Sequence, residues 1–273
     1  MSNIMINKAA EAIASADCLL IIAGAGMGVD SGLPDFRGNK GFWKVHANFE
    51  KEGLSFQDLA TPHWFDSNPS RAWGFYGHRH QLYKKTVPHK GFQILKKWFA
   101  SKSTESFVYT SNVDGHFQKA GFSEQMVYEC HGAINYFQCC SDCNNDIWHS
   151  PDFQFTVDEK QLLAEGELPS CINCGDIARP NILMFDDSYW LSHRSEQHAK
   201  RYKHWKQSVR DKSLTIIEVG AGISGCSARW ESQQACNTLI RINPTDAAGN
   251  DNTVSIQSGA LDALLAINEL LEN

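Results

Sequence analysis

Short apolar runs alternate with amphipathic stretches along most of the chain. Residues 19–23, 107–110 and 214–219 form apolar or largely apolar runs, each followed by small or polar residues. Runs without regular polar alternation are typical of parallel strands that are buried on both faces. Residues 91–99 place apolar side chains at helical spacing just before one of these runs. Strands that alternate with helices predict an α/β fold with a doubly wound parallel sheet.

The same criteria predict further elements in the rest of the chain. Asn68 or Ser70 is suited to cap a helix that begins near Pro69. Residues 193–212 form a basic helical segment, whose charged face we expect to be solvated. Further strands are predicted at residues 126–130, 181–185, 238–243 and 254–257, and further helices at residues 9–15 and 261–271.

Composition and charge limit the classes of function. The chain has 273 residues and a net charge of −6, which gives no general reason to expect nucleic acid or a membrane as a partner. Its first residues lack the apolar core of a signal peptide, and no apolar run reaches the length of a membrane span. We therefore expect a cytoplasmic protein. The cysteines number nine, which is odd, and without an export signal they favour metal binding over disulfides.

Two glycine motifs follow apolar runs. Gly24 and Gly26 come directly after residues 19–23, but position 29 is Val29, so the first motif is an incomplete dinucleotide fingerprint. Glycines let backbone N–H groups approach an anion closely, and the next helix is expected to point its N-terminus at that anion. This first stretch therefore predicts a phosphate-type turn. The second motif, Gly220-Ala221-Gly222-Ile223-Ser224-Gly225, matches the pattern G-x-G-x-x-G.

Four cysteines form two C-x-x-C pairs, Cys140 with Cys143 and Cys171 with Cys174. Each pair can present two thiolates to one ion, and four thiolates complete a tetrahedral zinc site. Such a site leaves no open coordination position, so the predicted zinc is structural. Cys139 is an alternative to Cys140 as the first ligand, because both lie near the required position.

Three polar residues follow predicted strands. Asn112 and Asp114 come after residues 107–110, and His131 comes after residues 126–130. Open α/β sheets hold their ligands at the carboxyl ends of the strands. A histidine at such a place can titrate near neutral pH and act as a general base. Taken alone, His131 also fits a partly buried histidine with a structural role.

Several motifs resemble those of the sirtuins, the NAD-dependent protein deacylases. The family's opening signature is similar to Gly24-Ala25-Gly26 with the later Ser31-Gly32-Leu33-Pro34-Asp35-Phe36-Arg37-Gly38. Its Thr-Gln-Asn-Ile-Asp motif resembles Thr110-Ser111-Asn112-Val113-Asp114, and its His-Gly motif resembles Cys130-His131-Gly132. The resemblance covers nearly the whole chain, and the motifs occur in the family's order.

This resemblance implies a division of the chain and a set of ligands. Residues 1–40, 90–131 and 179–273 would form a Rossmann-like NAD-binding domain. Residues 41–89 would form a helical module, and residues 132–178 a zinc-binding module, of a smaller domain. NAD and an acylated-lysine protein substrate would bind in the cleft between the domains, and one structural zinc ion would be bound by Cys140, Cys143, Cys171 and Cys174.

The resemblance also implies roles for individual residues. His131 would be the general base, and Asn112 and Asp114 would complete the catalytic set. The cofactor would be bound by Gly24, Ala25, Gly26, Asp35, Phe36, Arg37, Ser111, Asn112, Asp114, Gly220, Ala221, Gly222 and Asn243. Asn243 precedes Pro244, so a turn-forming role is its alternative. The strand that pairs with the peptide would contain Ile182, Leu183 and Phe185.

Tyr76 and Arg79 are three residues apart on a predicted helix and therefore share a face. The surrounding segments resemble the sirtuin subgroup that removes acidic acyl groups such as succinyl and malonyl. An arginine fork and a tyrosine hydroxyl suit a carboxylate.

Three departures from the family's motifs keep other activities open: Ser111 replaces glutamine, Ala221-Gly222 replaces Thr-Ser, and Phe185-Asp186-Asp187 replaces Phe-Gly-Glu. The alternative is a sirtuin-type protein ADP-ribosyltransferase or NAD glycohydrolase. A non-catalytic NAD-sensing module would be marked by loss of His131, which is present.

Overall fold

A computed structural model describes residues 2–34, 53–141, 143–223, 227–234 and 237–272. The predicted cofactor-binding residues Asp35, Phe36 and Arg37 lie outside these described residues. Within them, the helices are α1 (Asn3–Ser15), α2 (Phe56–Leu59), α3 (His63–Ser67), α4 (Pro69–Lys85), α5 (Lys90–Ala100), α6 (His116–Lys119), α7 (His193–Ser208), α8 (Ser227–Gln233) and α9 (Ala260–Glu272).

The strands of the same residues are β1 (Cys18–Ala23), β2 (Phe107–Thr110), β3 (Val127–Glu129), β4 (Gly132–Cys139), β5 (Ile147–His149), β6 (Thr156–Asp158), β7 (Leu163–Glu165), β8 (Ala178–Ile182), β9 (Leu214–Val219), β10 (Thr238–Ile242) and β11 (Thr253–Ile256). Short 3₁₀ helices span Ala25–Ser31 and Glu124–Met126.

The predicted doubly wound parallel sheet is confirmed. Its strands lie in the order β3-β2-β1-β9-β10-β11, and every neighbouring pair is parallel. All residues of β1 are buried, as expected for a central strand that is covered on both faces. The strand order reverses between β1 and β9. The carboxyl edge of the sheet at this switch point is where open α/β folds bind their ligands.

Helices cover the sheet on both faces. Ile21 of β1 packs in a buried cluster with α1, α5 and α9, whereas its neighbour Leu20 packs with α7 and α8. Successive side chains of a strand point to opposite faces, so one apolar strand contributes to both layers. Among the described residues, no helix combines the length and the apolar character that crossing a membrane requires.

A second hydrophobic core lies outside the central sheet. It joins α3 and α4 to the antiparallel sheet β5-β4-β8 and to the hairpin β6-β7. Trp73 of α4 is fully buried, and its indole Nε1 donates to the carbonyl of Ala178 in β8 at 2.8 Å. Gly74 lies so close to Leu162 that a Cβ at this glycine would overlap the Leu162 carbonyl. The helical and cysteine-bearing segments therefore share one core.

Strand β8 differs from the prediction for its region. It spans Ala178–Ile182 rather than residues 181–185, and it pairs antiparallel with β4 outside the central sheet. Its sequence was not recognised as that of a strand because it contains the polar residues Arg179 and Asn181. Both side chains are nevertheless buried, because each has a partner outside the strand. Arg179 forms an ion pair with Asp187, and Asn181 donates to Gln138 at 2.8 Å.

Two other predictions are refined by the structure. Asn68, and not Ser70, caps α4, since its Oδ1 accepts from the N–H of Arg71 at 3.1 Å. The basic helix ends at Ser208, and its Arg194 is not part of a solvated face. Arg194 is buried and pairs with Glu129 at 2.7 Å, directly before the Cys130-His131 motif.

Candidate active site and zinc site

The two glycine motifs lie side by side at the switch point. The N–H of Gly26 donates to the carbonyl of Gly220 at 3.0 Å. A Cβ on Gly24 would lie 2.6 Å from the Gly220 carbonyl oxygen, and a Cβ on Gly26 would lie 2.7 Å from the Gly220 Cα. Glycine is therefore required here so that two loops can approach each other. Gly222 differs, because a Cβ there would meet nothing within 4 Å.

The segment after β1 is a 3₁₀ helix, Ala25–Ser31. It is followed by Gly32, which has a left-handed conformation. Ala25 at its start and Leu33 just after it reach the same cavity. The turn thus carries part of the cavity wall.

The polar motif after β2 is held by the first glycine loop. Asn112 donates through Nδ2 to the carbonyl of Gly24 at 2.9 Å, and the N–H of Ser111 donates to the carbonyl of Ala23 at 3.1 Å. Asp114 accepts from the N–H of His116 at 2.9 Å, at the start of α6. The Asn112 amide is therefore fixed before any ligand binds, and Asp114 is oriented by its own turn.

His131 occupies the turn between β3 and β4. Gly132 follows it with a φ of 78°, and a Cβ at this position would overlap the carbonyl of Asn181. The carbonyl of His131 accepts from the N–H of Leu183 at 3.0 Å. Its imidazole is half-buried, and Nε2 lies 3.0 Å from the Ser227 hydroxyl. The backbone on both sides of His131 is therefore constrained, which fixes the position of its Cα and Cβ atoms.

One cavity of about 430 Å³ brings the predicted catalytic and substrate residues together with some of the predicted cofactor residues. The three predicted catalytic residues line it, and so do residues predicted for the cofactor and the substrate. Its described lining comprises Ala25, Leu33, Pro34, Phe56, Gln57, Ala60, Tyr76, Arg79, Tyr83, Ser111, Asn112, Val113, Asp114, His131, Ile182, Leu183, Met184 and Phe185. The cavity lies between the carboxyl edge of the central sheet and the second core.

The predicted substrate pair lies deep in this cavity wall. Tyr76 is 1% exposed and Arg79 is 6% exposed. Arg79 donates through Nε and Nη2 to the hydroxyl of Tyr83 at 3.2 and 2.9 Å. Its guanidinium also lies 5.4 Å from the ring centroid of Phe56 and 5.3 Å from that of Phe75. Burial raises the pKa of Tyr76 to about 12, so this hydroxyl stays protonated at neutral pH.

Asn243 has a structural role in the described protein. It is 6% exposed, and its Nδ2 donates to the carbonyl of Ala221 at 2.9 Å. Its Oδ1 accepts from the N–H groups of Thr245 and Asp246 at 3.0 and 2.9 Å. The side chain therefore forms the turn around Pro244 and holds the second glycine loop. A contact with the ribose remains a prediction.

Four cysteine sulfurs converge beside the second core. Cys139, Cys143, Cys171 and Cys174 place their sulfurs within 4.8 Å of one another, and two of the separations are 3.6 Å. Tetrahedral zinc with bonds of about 2.3 Å requires sulfurs roughly 3.8 Å apart. Disulfide sulfurs would be much closer, at about 2.05 Å. The donor set therefore fits one structural zinc ion.

Backbone N–H groups favour the thiolate form of Cys171. Burial opposes ionisation of Cys171, but the N–H groups of Cys174 and Asn173 act in the other direction and lower its pKa to about 7. The N–H of Asn173 lies 3.4 Å from the Cys171 sulfur. Hydrogen bonds from a turn to a coordinated sulfur are consistent with metal binding, since only the thiolate is a ligand.

Cys140 is not part of this cluster, so its prediction as a ligand was wrong and the alternative Cys139 is correct. Cys139 is the last residue of β4, and side chains that follow each other at a strand end point to opposite sides. Cys140 instead packs against the second core, where burial raises the pKa of its thiol to about 12. The first pair of ligands is therefore Cys139 and Cys143, with the spacing C-x-x-x-C rather than C-x-x-C.

Two residues of the site had not been selected from the sequence. Tyr83 is four residues after Arg79 and therefore lies on the same face of α4, a spacing that is visible in the sequence once Arg79 is selected. Ser227 contacts His131 from a different element, and no local motif indicates this pairing.

Comparisons with known proteins identify the family. The protein-family model described as "Sir2 family" matches residues 24–208 of this chain. The NAD-dependent protein deacylase of Aquifex aeolicus is 32% identical over 170 residues, and the match covers 62% of this chain and 62% of that protein's length. The NAD-dependent protein deacylase of Leptospira interrogans serovar Lai is 32% identical over 257 residues, which covers 92% of each protein.

A solved structure agrees with these matches. The crystal structure of a Sir2 homolog–NAD complex has a TM-score of 0.68 at 21% identity, and the match covers 97% of this chain and 94% of the other. At this identity the likeness concerns the fold. The family model spans more than half of the chain, and the Leptospira protein matches most of it. The chain therefore belongs to the Sir2 family, and the sirtuin prediction is confirmed.

Proposed function

We propose that this protein is an NAD-dependent protein-lysine deacylase. The observation that carries this proposal is the single cavity in which His131, Asn112 and Asp114 meet the segment Ile182 to Phe185. Proteins named NAD-dependent protein deacylase match this chain, one of them over 92% of its length. A Sir2 homolog of the same fold has been solved with NAD.

The residues of the cavity have different roles in deacylation. NAD, when bound, supplies ADP-ribose as the acyl acceptor, and the products are nicotinamide, O-acyl-ADP-ribose and free lysine. Asn112 and Asp114 orient the reacting groups, and the fixed Asn112 amide needs no reorganisation. His131 takes the proton from a ribose hydroxyl as the general base, so that this oxygen can take over the acyl group from lysine.

The proposed cofactor-binding residues lie next to the catalytic residues, near the switch point of the sheet. Ala25 and Ser111 line the cavity itself. The adjoining loops contribute further predicted contacts, namely Gly24, Gly26, Gly220, Ala221, Gly222 and Asn243. Asp35, Phe36 and Arg37 complete the proposed set. Backbone N–H groups of such loops suit phosphate oxygens.

The acyl-lysine protein binds at the mouth and floor of the cavity. Leu183 and Phe185 are 39% and 43% exposed at the cavity wall. Exposed apolar side chains next to a cavity are expected where a peptide binds. We include Ile182 in this surface. Tyr76 and Arg79 form the floor, and we propose that they select acyl groups with a terminal carboxylate, because a buried guanidinium suits such a charge.

The zinc ion and the two domains complete the proposal. Cys139, Cys143, Cys171 and Cys174 would bind one zinc ion with a structural role. Residues 1–40, 90–131 and 179–273 are proposed as the NAD-binding domain. Residues 41–89 and 132–178 form the two modules of the smaller domain.

Nicotinamide release tests the proposal. Purified protein is incubated with NAD alone, with an acetyl-lysine peptide or with a succinyl-lysine peptide, and His131→Ala is measured in parallel. We expect multiple-turnover release that requires a peptide and yields deacylated peptide, and we expect His131→Ala to form no deacylated peptide. Equal release without any peptide would instead favour ADP-ribosyl transfer or NAD hydrolysis, and the deacylase proposal would fail.

A further inference from the structure

The imidazole of His131 contacts a serine from a distant part of the chain. Its Nε2 lies 3.0 Å from Oγ of Ser227, although the two residues are 96 positions apart in sequence. Ser227 is the first residue of α8, the helix that follows the second glycine loop. The contact thus joins the turn after β3 to the helix after β9, on opposite sides of β1 and β2.

The serine side of this contact is firmly anchored. Ala228 is fully buried in the cluster that covers one face of the sheet. Arg229 donates through Nη2 to the carbonyl of Ala221 at 2.8 Å, and its Nε lies 3.1 Å from Glu218 of β9. The start of α8 is therefore fixed to the sheet and to the glycine loop, and the Ser227 hydroxyl has a defined position.

The histidine side is anchored as well. The backbone of His131 accepts a hydrogen bond from the N–H of Leu183. The next residue is Gly132, and any other residue at this position would overlap the carbonyl of Asn181. These constraints fix the backbone of His131, but the imidazole can still rotate about its side-chain bonds. The hydroxyl of Ser227 contacts Nε2, and this contact restricts the rotation.

We propose that Ser227 is a positioning residue for His131, an inference that rests on the proposed deacylase function. A hydroxyl is both a donor and an acceptor. In the neutral tautomer that carries its proton on Nε2, this nitrogen donates to the Ser227 hydroxyl, and the lone pair of Nδ1 takes the ribose proton. Nε2–H still donates to the hydroxyl after Nδ1 is protonated, so the ring keeps its orientation throughout general-base catalysis. The described lining of the cavity contains His131 and not Ser227, and the serine therefore acts through the histidine.

Two rates separate this role from a general structural one. In the proposed reaction, nicotinamide leaves and the acyl oxygen attacks the ribose before His131 acts. Exchange of labelled nicotinamide into NAD, measured with an acyl-lysine peptide, therefore reports steps without the base. Formation of deacylated peptide includes the base. Both rates are measured for the unsubstituted protein, for Ser227→Ala and for Ser227→Thr, which retains the hydroxyl.

We expect Ser227→Ala to lower kcat for deacylated peptide by about tenfold, the usual effect of one lost hydrogen bond at a reacting group. Nicotinamide exchange and the KM for NAD should stay near the unsubstituted values, and Ser227→Thr should recover most of kcat. Equal losses in exchange and deacylation would overturn the proposal, since they would indicate a disturbed loop. Unchanged deacylation in Ser227→Ala would also overturn it.

A second measurement does not depend on activity. The ¹⁵N chemical shifts of the His131 ring report its tautomer and hydrogen bonds. Ser227→Ala should change these shifts without a change in the thermal unfolding midpoint, and identical shifts would contradict the proposal. If the unsubstituted protein forms no deacylated peptide, the proposed function fails, while the ring shifts still decide whether Ser227 holds His131.

Discussion

The Cys139 sulfur lies 3.6 Å from the Cys174 sulfur, although the two residues are 35 positions apart. Cys140, the next residue, packs against the second core instead. We therefore expect Cys139→Ser to lose the bound zinc and Cys140→Ser to keep it. Elemental analysis of the two purified variants gives the zinc content per chain. Zinc that remains in Cys139→Ser and is lost in Cys140→Ser would contradict this assignment.

Gly26 and Gly222 give a matched test of the glycine loops. A Cβ at Gly26 would lie 2.7 Å from backbone of the neighbouring loop, whereas Gly222 has open space. Gly26→Ala should reduce the free energy of unfolding by about 1–3 kcal/mol, the usual cost of overpacking. Gly222→Ala should change it by less than about 0.5 kcal/mol. Urea denaturation measures both values, and equal effects would show that loop packing does not require Gly26.

Arg79 determines the acyl preference in the proposed function. Arg79→Met removes the charge from a site that is surrounded by aromatic rings. The ratio of kcat/KM for succinyl-lysine to that for acetyl-lysine should fall by a factor that corresponds to about 1.5–3 kcal/mol. Acetyl-lysine activity of the same variant is the internal control. The proposed carboxylate contact is wrong if this ratio does not change.

Two buried histidines predict how stability depends on pH. Burial lowers the pKa of His80 to about 4 and that of His198 to about 3, from about 6.5 in the unfolded chain. Below about pH 6.5 the unfolded chain therefore binds protons that the folded protein does not. The stability due to these neutral rings is fully present above that pH and is lost as the pH falls toward the folded values.

Each histidine contributes a slope of about 1.4 kcal/mol per pH unit over this interval. Chemical denaturation between about pH 6.5 and about pH 4.5 should show a shallower loss of stability for His80→Gln than for the unsubstituted protein. His80 is 1% exposed and lies 5.3 Å from the Phe155 ring, so the substitution also has a pH-independent cost. Parallel curves for the two proteins would show that His80 is protonated in the folded state.

Most of the central sheet could be predicted because its middle strands β1, β2 and β9 are buried on both faces and are apolar or largely apolar runs. β8 could not, because its Arg179 and Asn181 are buried with partners outside the strand, Asp187 and Gln138. The motifs correctly selected residues that line the cavity, such as Asn112 and His131. The choice between Cys139 and Cys140 depended on the direction of one strand end, which local spacing does not encode.

The hydrogen bond from Trp73 to Ala178 has a consequence for chimeric proteins. The helix that supplies Tyr76 and Arg79 and the strands next to the cysteine cluster are distant in sequence, but they share one hydrophobic core. Grafting either segment alone from a relative would leave half of that core mismatched. Under the proposed function, an exchange of acyl preference would therefore require the transfer of both segments together.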